Sequence, residues 1–241
     1  MGMPLKSEPL IATRHTTLER LAHYANIASL AVLVFSGFTV YFGLGYLDYG
    51  DAYALHIIAA AVFLAVNWIV LPYSAFVNGS LASYFFWMTD ARRLWMAAKN
   101  FIDGTEYPQY TIYDIGKHKF MNRLHPVTKL LIYAHYSALF VLTITGLVLY
   151  SGSIMLLGVN ISGLILHVMD FAAPSFSLSG LALTRILHVA MAYWFVAEVI
   201  IHAGIIQLDP RKFQHIRSIF LDGKEDLAED QTADIVDTSE N

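Results

Sequence analysis

Arg185-Ile186-Leu187-His188 is followed by thirteen residues broken only by Glu198 and then by His202, all inside an apolar run from Gly180 to Leu208. A run of that length can cross a bilayer, which takes about 20 residues at roughly 1.5 Å rise each. The two histidines are fourteen positions apart, so at about 100° per residue the second returns to within roughly 40° of the first one's face, displaced about 21 Å along the axis. They face the same way at opposite membrane depths. An imidazole inside a membrane helix is costly and marks function by default. A matched pair near the two edges of the hydrocarbon layer suits axial ligation of two stacked haems, and the rest of the chain must then supply the opposite ligands.

Composition supports a polytopic membrane protein: 56% of the 241 residues are hydrophobic and only 14% are charged, where a soluble domain carries nearer 25% charge. With no cysteine, disulfides, iron-sulfur centres, thiolate zinc and covalently attached c-type haem are excluded. Ten histidines remain as the strong metal ligands. The formal charge of -4 comes largely from the tail, 222–240, and nothing favours nucleic acid as a partner. The polar start, 1–20, does not read as a cleavable signal peptide.

Taken in order, a cytoplasmic arm (1–20) precedes a membrane domain (21–208) with spans at about 21–46, 53–77, 128–149 and 182–207, and a cytoplasmic tail (209–241) that reads as partly disordered follows. His23 lies in the first turn of the first span and His56 in that of the second. Pro72, Asn78 and Gly79 end the second span. Residues 89–103 set Arg92, Arg93 and Lys99 against Leu94, Trp95, Met96 and Phe101, the pattern of an amphipathic helix on the membrane surface. Residues 104–124 read as a polar, Tyr-rich loop. The third span is entered through His125-Pro126, with proline where its missing N-H costs least, and carries His135. Residues 150–180, punctuated by glycine and Pro174, read as a re-entrant or surface-lying connection. The predicted fold is therefore all-α and integral to the membrane: a four-helix bundle enclosing two b haems, with a surface amphipathic helix.

Lysine and arginine orient it. The arm has three, the middle loop through Lys129 seven and the tail four, which leaves Arg185 alone on the other side. The positive-inside rule then puts both termini in the cytoplasm of a cell inner or plasma membrane. In that topology His23 and His202 lie near the cytoplasmic face and His56 and His188 near the outer face, two cross-helix pairs each at one level. Bis-histidine ligation needs one neutral imidazole on each side of a haem, which facing helices of a bundle provide. Gly37, Ala59, Ala60 and Gly146 are candidates for making room. Arg20 and Arg185, each three before a ligand, are placed to pair with haem propionates. A membrane histidine can also be a plain inter-helix hydrogen-bonding residue, but four at paired depths, without a cysteine or carboxylate cluster, point to haem. His15, His118 and His215 read as solvated. Glu198, four before His202, is either a neutral hydrogen-bonding group or a proton relay.

The segment Arg14-His-Thr-Thr-Leu-Glu19-Arg20-Leu-Ala-His23, the histidine opening the second helix and the 14-spaced His188 and His202 resemble the di-haem cytochrome b subunits of membrane-bound nickel-iron hydrogenases and respiratory formate dehydrogenases, over roughly residues 12–208. The resemblance implies the same pairing of histidines. It also implies a quinone site beside the cytoplasmic haem on the polar segment that opens the third helix, commonly Asn-Pro-Leu or Asn-Ala-Gly-Gln-Lys in the family. Here that stretch is His125-Pro126-Val127-Thr128-Lys129, with histidine in place of asparagine. The expected function is electron transfer from an outer-face iron-sulfur subunit, partnered by a catalytic subunit, through two b haems to menaquinone or an analogous carrier near His125, Lys129 and His135. The alternatives are a quinol-oxidising reductase of thiosulfate or heterodisulfide type, and a non-haem transporter or assembly factor.

Overall fold

The computed structural model describes residues 9–208, 212–229 and 233–238. Its helices are α1 (Thr17–Phe42), α2 (Tyr49–Ala65), α3 (Leu71–Val77), α4 (Met88–Asp103), α5 (Pro126–Tyr150), α6 (Ile161–Ala172), α7 (Gly180–Leu208) and α8 (Lys212–Arg217). A π-turn at Val66–Val70 joins α2 to α3 without interruption, so four helices are long and apolar enough to cross a membrane: Thr17–Phe42, Tyr49–Val77, Pro126–Tyr150 and Gly180–Gly204. The protein is a mostly helical, multi-pass membrane protein whose spans are all α-helical. Much of its large apolar surface is exposed along these helices, as at Leu21, Ile58, Ile69, Phe140, Ile186 and Ile200. A face of that kind is stable against lipid.

The chain divides into two compact units, Met1–Leu130 with Ile205–Asn241, and Leu131–Gly204. In the first, α1 begins earlier than hydropathy suggests because Thr16 and Glu19 form a capping box: the Thr16 N-H donates to Glu19 Oε2 (2.9 Å) and the Glu19 N-H to Thr16 Oγ1 (3.3 Å). It ends at Gly43, whose φ of 61° is the left-handed conformation that closes a helix. The π-turn lies just before Pro72, whose missing N-H would otherwise break the ladder. That turn carries the buried Asn67, which trades amide bonds with Asn26 of α1 (2.9 and 3.3 Å) and donates to the Phe63 carbonyl (2.8 Å).

The loop 104–124 is more ordered than its composition suggests. Thr111–Asp114 and Lys119–Asn122 form an antiparallel hairpin, and Ala233–Val236 of the tail adds parallel to Thr111–Asp114. Elsewhere in the tail, Lys224–Asp226 pairs antiparallel with Ile11–Thr13. The described tail residues are thus held by backbone ladders and by buried charge. Arg14 pairs with Glu225, and Arg123 with Glu19 while also donating to Tyr84 Oη (3.1 Å) and the Arg14 carbonyl. His15 and His215, expected in solvent, are partly buried here. Burial first, then the positive charge of Arg14 beside it, holds His15 well below the ordinary 6.5 and so neutral at pH 7.

The second unit contains most of α5 and α7. Between them, Met155–Leu156 and Val159–Asn160 form a two-stranded ladder, and α6, at 12 residues, is too short to cross a bilayer. Asp170 of α6 accepts from the Gly180 N-H (2.9 Å), capping α7, and a Cβ on Gly180 would lie 2.2 Å from Asp170 Oδ1. Met169, Ala173 and Leu183 form the apolar core here.

α4 is amphipathic, with Met88, Trp95, Phe101 and Ile102 exposed. It is anchored by Asp90, which is 1% exposed and bonds the Trp87 N-H (2.9 Å) and Lys129 Nζ (2.8 Å). Lys129, also 1% exposed, donates as well to the Phe85 carbonyl (3.1 Å). Lys129→Met should therefore leave the buried carboxylate only its longer pair with Arg93 (3.6 Å) and destabilise the detergent-solubilised protein by about 3 kcal/mol, the low end for breaking a buried pair, while adding Asp90→Asn should recover most of that loss. Thermal unfolding of the single and double variants measures both, and equal instability of the two would refute the pairing.

Candidate haem-ligand and proton-transfer sites

His56, near the start of α2, turns its ring toward α1. Its Nδ1 lies 3.1 Å from Ser36 Oγ. The Ser36 hydroxyl donates to the Val32 carbonyl one turn back (2.6 Å), a habit of serine in membrane helices that satisfies its proton inside its own helix. Its oxygen is thereby left to accept from His56, which puts the ring proton on Nδ1. The ring also bonds the backbone at Leu33, whose carbonyl is 3.4 Å from the same hydroxyl and can only accept. Gly37 lies against the imidazole: a Cβ there would be 3.1 Å from His56 Cε1.

The second unit repeats the arrangement with other residues. His188 of α7 has Nδ1 2.9 Å from Thr145 Oγ1 of α5, and Thr145, fully buried, donates to the Val141 carbonyl (2.7 Å). The next residue, Gly146, is again beside the ring, with a built Cβ at 3.5 Å from His188 Cε1. In both places the neutral imidazole carries its proton on Nδ1 and its lone pair on Nε2. That is the tautomer in which a histidine coordinates a metal through Nε2 while its other nitrogen is held by an acceptor. These residues fit axial ligation of haem iron.

At the other end of α1, His23 meets the Phe220 ring edge-on (centroids 5.3 Å apart) and lines a cleft of about 150 Å³ with His15, Glu19, Asn26, Tyr84 and Arg123. Arg20 donates to the Leu221 carbonyl, and its buried Nε has no partner among the described residues. Arg185 is exposed. His202 is exposed, four residues after Glu198. Glu198 meets His135 of α5, with Nδ1 3.0 and 3.2 Å from its two carboxyl oxygens, and the His135 ring packs on Phe195 (4.8 Å). A carboxyl and an imidazole in this contact can pass a proton between them.

Two of the residues expected at a quinone are occupied otherwise. Lys129 Nζ is taken by Asp90 and the Phe85 carbonyl. His125 caps α5, its Nδ1 accepting from the Val127 N-H (3.2 Å), while its Nε2 lies 2.9 Å from Tyr107 Oη. Ser36 and Thr145 were not picked out from the sequence. Their signal is a hydroxyl residue directly before a glycine in each of the two histidine-facing helices.

Among the described residues, no three His, Asp or Glu side chains converge on a point that could hold a metal ion. Residues 14–220 match the family described as prokaryotic cytochrome b561. The F420 non-reducing hydrogenase II cytochrome subunit of Methanosarcina mazei is 34% identical over 96% of this chain and 89% of that relative. No solved structure matches.

The two glycines should differ in tolerance. Gly37→Ala brings a methyl to 3.1 Å of the His56 ring and must displace it, whereas Gly146→Ala makes an ordinary contact at 3.5 Å. Haem content after purification should fall in Gly37→Ala and stay near wild type in Gly146→Ala. Equal retention would show that Gly37 does not seat the ring.

Proposed function

Because the chain belongs to the prokaryotic cytochrome b561 family, we propose that this membrane cytochrome b is the electron-transferring anchor of a hydrogenase-type redox complex, with two b haems ligated by His56 and His188 near the outer face and by His23 and His202 near the cytoplasmic face. The observation that carries the reading is the pair of oriented imidazoles, His56 and His188, each with Nδ1 on a hydroxyl of a neighbouring apolar helix. The pairing itself rests on the depths and the 14-residue spacing read from the sequence. The relative's name favours a hydrogenase over a formate dehydrogenase partner.

Haem, when bound, supplies one-electron carriers at the two depths. The residues of the chain do the rest. His56 and His188 would offer Nε2 from rings held at Nδ1 by a hydroxyl, and His23, edge-on to Phe220, and His202 would supply the imidazoles at the other level. Arg20 and Arg185 lie three residues from a ligand each and offer guanidinium groups to propionates. Electrons enter from an iron-sulfur subunit outside and leave to a quinone or analogous carrier at the cytoplasmic side, near the start of α5. Reduction of such a carrier takes two protons with two electrons, and the Glu198–His135 pair, one turn from His202, is placed to deliver them. Both termini lie in the cytoplasm in this topology. Substrate oxidation outside with proton uptake from inside charges the membrane, about 2.3 kcal/mol per elementary charge per 100 mV.

Purified protein should contain about two haems b per chain. Alanine at His56 or His188 should remove the outer haem, and alanine at His23 or His202 the inner one. One haem in the wild type, or full retention in His188→Ala, would overturn the pairing.

Glu198→Gln keeps shape and hydrogen bonding but cannot release a proton. With both haems intact it should slow carrier reduction by roughly 10²-fold or more, the lower end of general acid-base effects, while haem reduction stays fast. Unchanged turnover with a quinone substrate would make Glu198 structural only.

A further inference from the structure

We infer that Ser36 and Thr145 are a matched pair of positioning residues that raise the donor strength of His56 and His188 and so lower the potential of the haem these histidines share. The inference rests on the ligand assignment proposed above. Each hydroxyl has its own proton committed to the carbonyl four residues back, at 2.6 and 2.7 Å. What it shows the ring is therefore an oxygen lone pair, at 3.1 Å from His56 Nδ1 and 2.9 Å from His188 Nδ1. An acceptor on the distal N-H of a ligating imidazole fixes the ring's rotation and tautomer and makes the other nitrogen more basic. A more basic pair of axial ligands stabilises ferric over ferrous iron.

The same solution appears independently in the two units, on different residue types. Ser36 and Thr145 are both 0% exposed, and each is followed by a glycine beside the ring, where a Cβ would crowd His56 at Gly37 (3.1 Å) and make an ordinary contact with His188 at Gly146 (3.5 Å). Helix packing alone does not require a hydroxyl before each of these glycines. The Ala138 and Leu139 side chains two turns earlier on α5 are buried without one. A lowered potential at the outer haem also has a use in the proposed direction of flow, since an electron arriving from outside then moves downhill toward the cytoplasmic haem.

The experiment uses purified full-length protein loaded with haem, in wild-type form and as Ser36→Ala, Ser36→Thr, Thr145→Val and Thr145→Ser. Haem per chain, the redox titration of each haem, the low-spin EPR signals and the rate of haem loss to an apomyoglobin trap are measured. Ser36→Ala removes the hydroxyl and leaves the His56 ring only the Leu33 carbonyl, and Thr145→Val removes the hydroxyl beside His188 with almost no change of volume. Each is expected to shift the ferric–ferrous equilibrium of the outer haem about tenfold toward ferrous, which for one electron is about 59 mV. Each should also speed its loss by about 10–100-fold, with the inner haem unmoved. Ser36→Thr and Thr145→Ser, which keep the hydroxyl, should stay within about twofold of wild type. Unchanged potential and EPR signals in both Ser36→Ala and Thr145→Val overturn the inference, as does a shift of the same size in the hydroxyl-keeping variants. Should Ser36→Ala lose the outer haem altogether, Thr145→Val alone decides in the same way. His56→Ala separates the two levels of the argument: retention of both haems there refutes the ligand assignment, whereas its expected loss of one leaves the outcome to the hydroxyl variants.

Discussion

A neutral imidazole is admissible inside a hydrocarbon layer only when its ring N-H has an acceptor, because an unpaired polar group there costs several kcal/mol. At both His56 and His188 a side-chain hydroxyl fills that role, joined at His56 by the Leu33 carbonyl. Ser36 and Thr145 meet the need economically: each satisfies its own proton within its helix and turns a lone pair outward. The same bond that makes the ring tolerable chooses its tautomer, and the tautomer decides which nitrogen is available to a metal. Tolerance of the membrane and competence as a ligand are here one interaction.

Charge is governed by the same constraint. Sparse in the spans, it collects around the start of α1, where Arg123 and Arg14 are buried against Glu19 and Glu225. Glu19 has two tasks, closing the capping box with Thr16 and receiving Arg123. It is one turn before His23, so the ionic layer sets the height at which α1 begins and through it the height of that histidine. The tail takes part, since Glu225 lies on a strand paired with residues 11–13 and Phe220 touches the His23 ring.

Much of this was legible in one dimension. Four apolar runs specify a four-span helical membrane protein, and the fourteen-residue interval between His188 and His202 together with the skew of lysine and arginine carries the proposed pairing of histidines. Gly37 was recognisable as a place where something large approaches, although what approaches it within its unit is the His56 imidazole itself. Less visible were the roles of polar residues. In the structure His125 caps α5 and Lys129 is paired with Asp90, contacts that the polar run opening that helix does not announce. Residues 104–124 and the tail have loop-like composition but form ladders with each other and with the arm.

The division has a physical cause. Hydropathy and periodicity are sums over consecutive residues set against a slab of fixed thickness, so the sequence by itself determined that there are four spans and roughly where each lies. Hydrogen bonds are made between atoms brought together from 20 to more than 200 positions apart, as in Ser36 with His56 or Arg14 with Glu225. Only the tertiary structure decided which hydroxyl faces which ring, that Glu198 meets His135, and that Lys129 is spent on Asp90, because each depends on a rotation of one helix against another that no local pattern encodes.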